Sequence, residues 1–410
     1  DAYVDVGVYQ EGTGVATASL DLNNNGSLSV IADARAISAG NNADASATIY
    51  PGISQTANAG TIASVALTNA SSSTLTISAD AVASGIFADA SANVYGIYQN
   101  ATGEDEATIA LVNNGALTVS ANADATAIAY ARASAEVSDA VHQSADGAVA
   151  SVALTNSATG TLEVSAVAAA AGEDARAYAS NYWAFYQNAD AADGDATAAL
   201  TNAGTLTISA AATATATDSG ILNNANAYGT NEYAISQTAT ASLGGNAAVS
   251  LDNTGTLAIT ADANASAGDD AYAYAYQYDA ITQNADAYGG GDASVTVANS
   301  NKLDITAKAV ATGSSATADA YNYYGIYQTV DAYASGTADS GNAAVSLTNA
   351  STGTINITAT ADAVATSGSA DASGYVENGV YQYAYSANGD ASVSITNDGA
   401  LNITAIANAD

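Results

Sequence analysis

The chain has 410 residues, of which 40 are acidic and 5 are lysine or arginine, so its formal net charge is −35. This charge argues against binding to nucleic acid or to an anionic membrane surface, because both partners call for basic residues. With no cysteine and no methionine, the chain has no disulfide and no thiolate metal site. Its longest run of small apolar residues, 166–172, is far shorter than the roughly 18–20 apolar residues of a membrane span.

A short motif, "GIYQNA" at 96–101, introduces a repeat. A small residue, an aliphatic residue, a variable residue and a glutamine recur at intervals of 44 to 54 residues. Such a period indicates stacked repeats, and it predicts a single repeat domain over 1–410. The glutamines that anchor the nine repeats are Gln10, Gln55, Gln99, Gln143, Gln187, Gln237, Gln283, Gln328 and Gln382.

A second landmark follows each glutamine: aliphatic-x-Asn, a turn, then aliphatic-x-aliphatic. "LVNNGALTV" (111–119) and "LTNAGTLTI" (200–208) are examples. Where the turn is longer, it is longer by two residues, so the residues after it keep their inward or outward orientation in the strand. This orientation, odd or even along the sequence, is called parity below. Every copy keeps its asparagine, and these are Asn24, Asn69, Asn113, Asn156, Asn202, Asn253, Asn299, Asn349 and Asn397.

Alanine-rich segments complete each repeat. Alanine favours helix, but "ANADATAIAYARASAEV" and "AYAYAYQY" alternate with a period of two, which is typical of strands. We therefore predict an all-β fold, a parallel β-solenoid. In the third repeat, parity places Ile97, Gln99, Ala101, Ile109, Leu111, Asn113, Leu117 and Val119 on the inner face. Tyr98, Thr118 and Ser120 then face outward.

Stacking of equivalent residues about 4.7–4.9 Å apart would align the glutamines and asparagines in two columns. Side-chain amides in such columns bond to one another and stabilise stacked strands. Residues 22 positions apart do not resemble one another, so we favour one large coil per repeat over two coils of about 20–22 residues. The alanine segments predict a thin or flattened cross-section.

Acidic turns are the candidate metal sites, in chain order Glu104, Asp105 and Glu106, then Asp193 and Asp195, then Asp269 and Asp270. Carboxylate oxygens suit calcium, and solvated acidic loops are the alternative. We predict no required cofactor. His142 is the one possible base of a catalytic triad, and it occupies a variable outer position. A carboxylate pair could in principle hydrolyse a glycan, but we predict that the protein is not an enzyme.

Two outward columns bear on ice binding, which needs a flat array of hydroxyls. One is Ser or Thr in most repeats, from Ser78 and Ser120 to Thr358 and Thr404. The neighbouring column is broken by Glu163, Ala258 and Asp304, so ice binding is a lesser alternative.

Tyrosine rows suggest an interaction surface. Parity places Tyr272, Tyr274, Tyr276 and Tyr278, and likewise Tyr381, Tyr383 and Tyr385, on the outside. Exposed aromatic rows usually have a partner. The alternative is that these rings protect strand edges or stack on one another.

The units "LTNAGTLTISA" and "LVNNGALTVSA" resemble the coils of bacterial secreted β-solenoids, namely filamentous-haemagglutinin-type adhesins and autotransporter passenger domains. The resemblance is one of pattern. It implies an extracellular or cell-surface protein that functions in adhesion, biofilm or fibre formation. The long repeat, the alanine content and the tyrosine rows depart from that pattern.

Both termini interrupt a repeat, and the start at Asp1 without methionine indicates a processed chain or a fragment. Neither end has a helical or charged cap. We therefore predict a structural subunit of an extracellular filament or biofilm-matrix fibre that stacks head to tail with itself. The alternative is a rod-like stalk within a larger surface adhesin, with surface proteins or glycans as further partners.

Overall fold

The computed structural model describes residues 1–216, 223–333 and 341–410. These residues are all-β, with 81% in strands and no helix. Strict alternation of small apolar and polar residues therefore prevails over the helix propensity of alanine, as the sequence predicts. The strand pairings are parallel, which is consistent with a β-solenoid.

The strands of the described residues are numbered here in chain order. The first fifteen are β1 Ala2–Val4, β2 Val8–Gly14, β3 Thr17–Asn24, β4 Ser27–Ile37, β5 Asn42–Ile49, β6 Ile53–Ala59, β7 Ile62–Asn69, β8 Thr74–Gly103, β9 Glu106–Asn113, β10 Ala116–Gly147, β11 Val149–Asn156, β12 Thr161–Gly172, β13 Asp174–Tyr182, β14 Phe185–Ala191 and β15 Ala196–Asn202. The others are β16 Thr205–Ala216, β17 Ala225–Glu232, β18 Ile235–Ala241, β19 Ala247–Asn253, β20 Thr256–Ser266, β21 Asp270–Tyr288, β22 Ala293–Asn299, β23 Lys302–Gly313, β24 Ser315–Tyr333, β25 Ala343–Asn349, β26 Thr354–Ala365, β27 Ala370–Ser386, β28 Ala391–Asn397 and β29 Ala400–Ala409.

Equivalent positions of successive repeats pair in register. Leu75 pairs with Leu117, and Leu117 pairs with Leu162. The strands that end in the repeat asparagine form a nine-stranded parallel sheet, in the order β28-β25-β22-β19-β15-β11-β9-β7-β3. The other twenty strands form the second sheet, which bends around the remaining sides and carries the glutamine strands, the Leu-x-Ile strands and the alanine-rich strands.

Two apolar clusters fill the interior. One lies between the glutamine strands and the nine-stranded sheet, and Ala101, Ala107 and Ile109 belong to it. The larger one includes facing rows of alanine from the Leu-x-Ile strands and the alanine-rich strands. Their backbones come close together, since a Cβ placed on Gly229 would lie 2.2 Å from the carbonyl oxygen of Asp262. This supports the flattened cross-section that the alanine content predicts.

The inward assignments in the third repeat are correct, and so is the outward assignment of Tyr98. All eight residues predicted to face inward are at most 2% exposed, whereas Tyr98 is 38% exposed. Ser120 differs from the prediction, because its side chain is buried although it has outward parity. Its hydroxyl donates to the hydroxyl of Ser78 at 3.0 Å, in the repeat before.

The corner before the glutamine strand is irregular in the fourth, fifth and sixth repeats. The pairing between β8 and β10 shifts register between Ser138 and Val141, where the fourth repeat has one more residue than the third. Asp139 in this bulge has a φ of 51°, and Trp183 and Tyr233 in the next two repeats each have a φ of 52°. These left-handed conformations are uncommon for residues with a Cβ. The bulge re-aims the side chain at this corner.

Candidate functional site

The nine glutamines form one continuous ladder. Each Nε2 from Gln55 to Gln382 donates to the Oε1 of the glutamine in the preceding repeat, at 2.7–2.9 Å. The seven glutamines from Gln55 to Gln328 are at most 1% exposed. Several also donate across the core to a carbonyl of the nine-stranded sheet, as Gln237 does to the oxygen of Ser250 at 3.0 Å. The ladder therefore ties the two sheets together as well as joining successive repeats.

The nine asparagines form a second ladder of opposite direction. Each Nδ2 from Asn24 to Asn349 donates to the Oδ1 of the asparagine in the following repeat, at 2.7–2.9 Å. The same nitrogens donate to a backbone carbonyl of the following repeat at 2.8–3.2 Å. Glutamine donors thus point toward the N-terminal repeats and asparagine donors toward the C-terminal repeats.

A third amide column was not predicted from the sequence. Asn181, Asn231, Gln277 and Asn322 are aligned in register and fully buried. Asn181 donates to Asn231 at 2.9 Å and Asn231 to Gln277 at 3.0 Å. The chain of bonds ends there, because Gln277 Nε2 and both amide atoms of Asn322 lack a partner. The same column carries Val94 and Val137 in earlier repeats, so no single residue type marks it in the sequence.

A fourth polar column lies at the turn before the nine-stranded sheet. Asp195, Asn246, Asp292 and Asn342 each accept the backbone N–H of the next residue in the column at 2.7–3.1 Å, and Asp390 ends the series. Each of the five follows a glycine and precedes an alanine. That Gly-Asx-Ala signal was visible in the sequence, where Asp195 alone of the five was predicted to have a role, as a calcium ligand.

The acidic turns proposed for calcium do not come together as one site. The Glu104–Glu106 turn and the Asp193–Asp195 turn share a corner, but Ala148 lies between them and bonds to both, accepting from Asp193 N–H at 3.3 Å. Asp269 and Asp270 lie at a different corner, where Asp269 N–H donates to the oxygen of Asn223. Among the residues that the structure describes, no group of three or more carboxylates or imidazoles could hold a metal ion. Calcium binding therefore stays a prediction.

The tyrosine rows face outward and stack on one another. In the row of Tyr272, Tyr274, Tyr276 and Tyr278, successive ring centroids lie 5.8–6.5 Å apart. Stacks also run between repeats, as with Tyr278 and Tyr323, 5.0 Å apart and nearly parallel. Burial raises the pKa of Tyr272 and Tyr276 above the ordinary phenol value.

The second tyrosine row is more open. Tyr381, Tyr383 and Tyr385 are each about two-fifths exposed. Tyr381 stacks on Tyr327 at 5.0 Å and Tyr385 lies 5.8 Å from Tyr333. The outward placement is as predicted, and a partner for either row stays a prediction.

His142 and the hydroxyl columns have specific contacts. His142 stacks between Tyr98 at 5.1 Å and Tyr186 at 4.6 Å, and its Nδ1 lies 3.3 Å from Asp139 Oδ1. The proposed ice-binding hydroxyls bond along their own column, as Thr358 does to Thr306 at 3.2 Å. In the neighbouring column, Asn402 donates to Asn356 and Asn356 to Asp304.

Among the described residues, five aspartates have raised pKa values, and Asp279 is the most buried of them. Burial raises the pKa of Asp279 to about 6, and Asp190, Asp262, Asp286 and Asp319 shift in the same direction for the same principal reason. These groups therefore bind protons more readily in the folded state than in the unfolded chain.

Comparisons of the chain with protein-family models, with curated proteins and with solved structures find no match. No helix that could cross a bilayer is found in the described residues.

Proposed function

We propose that the protein is a structural subunit of an extracellular bacterial filament or biofilm-matrix fibre. In this proposal the fold is a parallel β-solenoid of nine coils, each made by one repeat of about 44 residues, and the coils of one copy stack on those of the next. The in-register pairing of equivalent residues supports this coil size, since Leu75, Leu117 and Leu162 are neighbours along the stack. The extracellular setting rests on the sequence resemblance.

The observation that carries the proposal is that all the hydrogen bonds within each ladder point in the same direction along the stack. Gln382 Oε1 is buried and accepts no hydrogen bond. At the opposite edge, Gln10 Nε2 donates to the carbonyl oxygen of Asp21 at 3.3 Å, while its Oε1 accepts from Gln55. A coil added beyond Gln382 in the same register would donate to that free oxygen. The direction of the amide hydrogen bonds thus favours head-to-tail stacking, in which every copy of the chain points the same way along the filament.

The apolar edge near the C-terminal repeat supports the same conclusion. Val393, Ile395 and Ile403 occupy columns whose members in the inner repeats are buried, and they are each about half exposed. Covering apolar surface contributes roughly 25 cal/mol per Å². A further parallel coil would cover these side chains and pair the open strand edge.

The test is the assembly state of the purified chain across salt and calcium concentrations, observed by electron microscopy and sedimentation. We expect elongated particles that lengthen as salt screens the charge of −35. The variant Ile395→Lys places a charge on the stacking edge and should prevent elongation. Ile128→Lys is the matched control, because Ile128 lies on the outer surface of a central repeat and is 68% exposed.

Compact, dispersed monomers of the parent chain under all these conditions would contradict the filament proposal. The second candidate function is a stalk within a larger adhesin. It is supported by the same apolar edge near the C-terminal repeat, because further coils of one longer chain would cover that edge equally well. A native mass well above 40.0 kDa for a single chain would support it. Thermal hysteresis of the purified chain would support ice binding instead.

A further inference from the structure

A cleft of about 360 Å³ opens at the corner before the glutamine strands of the second to fourth repeats. Its walls are aromatic: Tyr50, Tyr95 and Tyr98 line it. The rings of Tyr50 and Tyr95 meet edge to face at 4.4 Å. Asp139, His142 and Ser54 supply the polar groups of the lining. A concave site with mostly apolar walls and a few polar groups is typical of ligand binding.

The cleft exists because one outward column changes residue size. Ser54, Tyr98 and His142 are register neighbours in successive repeats. His142 stacks on one face of Tyr98. On the other side the small Ser54 side chain leaves space where Tyr9 and Tyr98 have rings. Tyr98 is 38% exposed and lines the cleft, so its ring is accessible to a ligand from that side.

Asp139 gives the cleft its charge. It sits in the register shift before Val141 with a φ of 51°, in the left-handed region where aspartate is more often found than most residues. Its side chain is 21% exposed, so its carboxylate is partly desolvated and its Coulomb interactions are stronger than in water.

The chain already uses its tyrosines to hold cations. The guanidinium of Arg132 lies over the ring of Tyr178 at 5.9 Å, and that of Arg176 over Tyr130 at 5.7 Å. These are two of only five cationic side chains in a molecule of net charge −35. An electron-rich ring face attracts a cation within about 6 Å.

We propose that this cleft binds an organic ammonium cation, with its head group against the accessible side of the Tyr98 ring and its charge near Asp139. Aromatic walls with a carboxylate match the chemistry by which proteins recognise quaternary ammonium groups. An anionic ligand is disfavoured by Asp139 and by the overall charge. A neutral sugar would use the polar groups but would gain nothing from the carboxylate charge. The site is independent of whether the molecule forms a filament.

The experiment is titration of the full chain with tetramethylammonium and with choline, followed by calorimetry or by ligand-observed NMR at constant ionic strength. The matched uncharged probe is 3,3-dimethylbutan-1-ol, which has the shape of choline without its charge. We expect saturable binding of both cations and at least tenfold weaker binding of the alcohol. Constant ionic strength separates the site from general attraction to an acidic protein.

Variants locate the binding. Tyr98→Ala and Asp139→Asn should each weaken binding by about tenfold, whereas Tyr98→Phe should retain it because the ring face remains. Ser54→Tyr should block the cleft, since it restores the ring that other repeats carry. Tyr381→Ala is the control: Tyr381 occupies the equivalent column position but stacks on Tyr327 outside the cleft. The thermal unfolding midpoint of each variant reports whether the fold persists.

Equal binding of choline and the alcohol would overturn the proposal, as would no saturable binding of either cation. Unchanged choline affinity in Ser54→Tyr would also overturn it, because the cleft would then not be the site. Saturation by a neutral monosaccharide without cation binding would assign the cleft to glycans and contradict the cation proposal.

Discussion

At the scale of single residues, Gln277 stands out because the other buried amides of its column, Asn181, Asn231 and Asn322, are all asparagines. Its side chain is one methylene longer than its neighbours. Asn181 and Asn231 each donate across the core to a backbone carbonyl at 2.7 Å, to Ser209 and Thr260. Gln277 Nε2 makes no such bond, and Asn322 above it is left without partners.

Gln277→Asn should therefore stabilise the protein. The shorter amide can bond to Asn322 and to the facing strand, and each rescued buried polar group is worth about 1–3 kcal/mol. We expect the thermal unfolding midpoint to rise. The matched control is Gln283→Asn in the continuous glutamine ladder, where the same change breaks two bonds and should lower the midpoint. A fall in both variants would contradict this account of the third column.

Asp279 is the residue whose protonation should affect stability most clearly. It is 8% exposed, and burial raises its pKa to about 6, above the ordinary value near 3.9. The folded state thus binds the proton more tightly than the unfolded chain. The resulting stability is complete below about pH 4 and is lost as the pH rises through about 6.

Asp279→Asn, which mimics the neutral carboxyl, should be more stable than the parent chain at pH 7.5. Its advantage should shrink toward zero at pH 4, where both side chains are neutral. Thermal unfolding measured between pH 4 and 7.5 checks this. An advantage that is independent of pH would show that ionisation of Asp279 is not the cause.

The sequence predicted the glutamine and asparagine columns because each keeps one residue type through all nine repeats. It did not predict the third column, whose members change from valine to amide along the chain. Nor did it predict the cleft, which depends on the size of Ser54 relative to Tyr98 and on the backbone of Asp139. Those features arise from neighbours in the stack, about 44 residues apart in sequence.

At the scale of elements, the Gly-Asx-Ala turn holds the stack together where no strand does. A Cβ on Gly245 would lie 1.8 Å from the carbonyl oxygen of Gly194, and one on Gly291 would lie 1.8 Å from that of Gly245. Glycine lets the turns approach closely enough for each Asx oxygen to reach the next backbone N–H. The turn thus continues the ladder pattern outside the sheets.

Gly245→Ala should destabilise the corner, because the facing atom is backbone and cannot move away alone. We expect a loss of about 1–3 kcal/mol, in the range of typical core substitutions. The control is Gly40→Ala, where a Cβ would meet nothing within 4 Å. Hydrogen exchange at Asn246 N–H, which donates to Asp195, should quicken in the Gly245 variant alone. Equal unfolding midpoints for the two variants would refute the close-approach explanation.

At this scale the strands and their parallel stacking could be predicted from the sequence, because a period of two and insertions of two residues leave few alternatives. The backbone conformation at the corners could not be predicted. The extra residue around Asp139 and the left-handed conformations of Trp183 and Tyr233 depend on the way each repeat turns toward its glutamine strand. Aspartate is a common turn residue, but Trp183 and Tyr233 have the same conformation without being turn residues, so residue type does not mark this position in the sequence.

At the scale of the whole molecule, the proposed nine coils have a compact shape. Nine layers at about 4.8 Å span about 43 Å, whereas about 44 residues at roughly 3.3 Å each give a perimeter near 145 Å. A single copy is thus about as broad as it is tall. Only stacking of further coils makes a long object, which is why particle length separates a filament from a monomer.

The central claim is that successive repeats lie directly over one another and are joined by unbroken amide ladders. An experimental structure of the chain at side-chain resolution tests it most directly, through the separation of glutamine Nε2 and Oε1 atoms in neighbouring repeats. We predict 2.7–2.9 Å for all eight pairs, along one line parallel to the stacking axis. Glutamines scattered over the molecule, or pairs separated by more than a hydrogen bond, would contradict it.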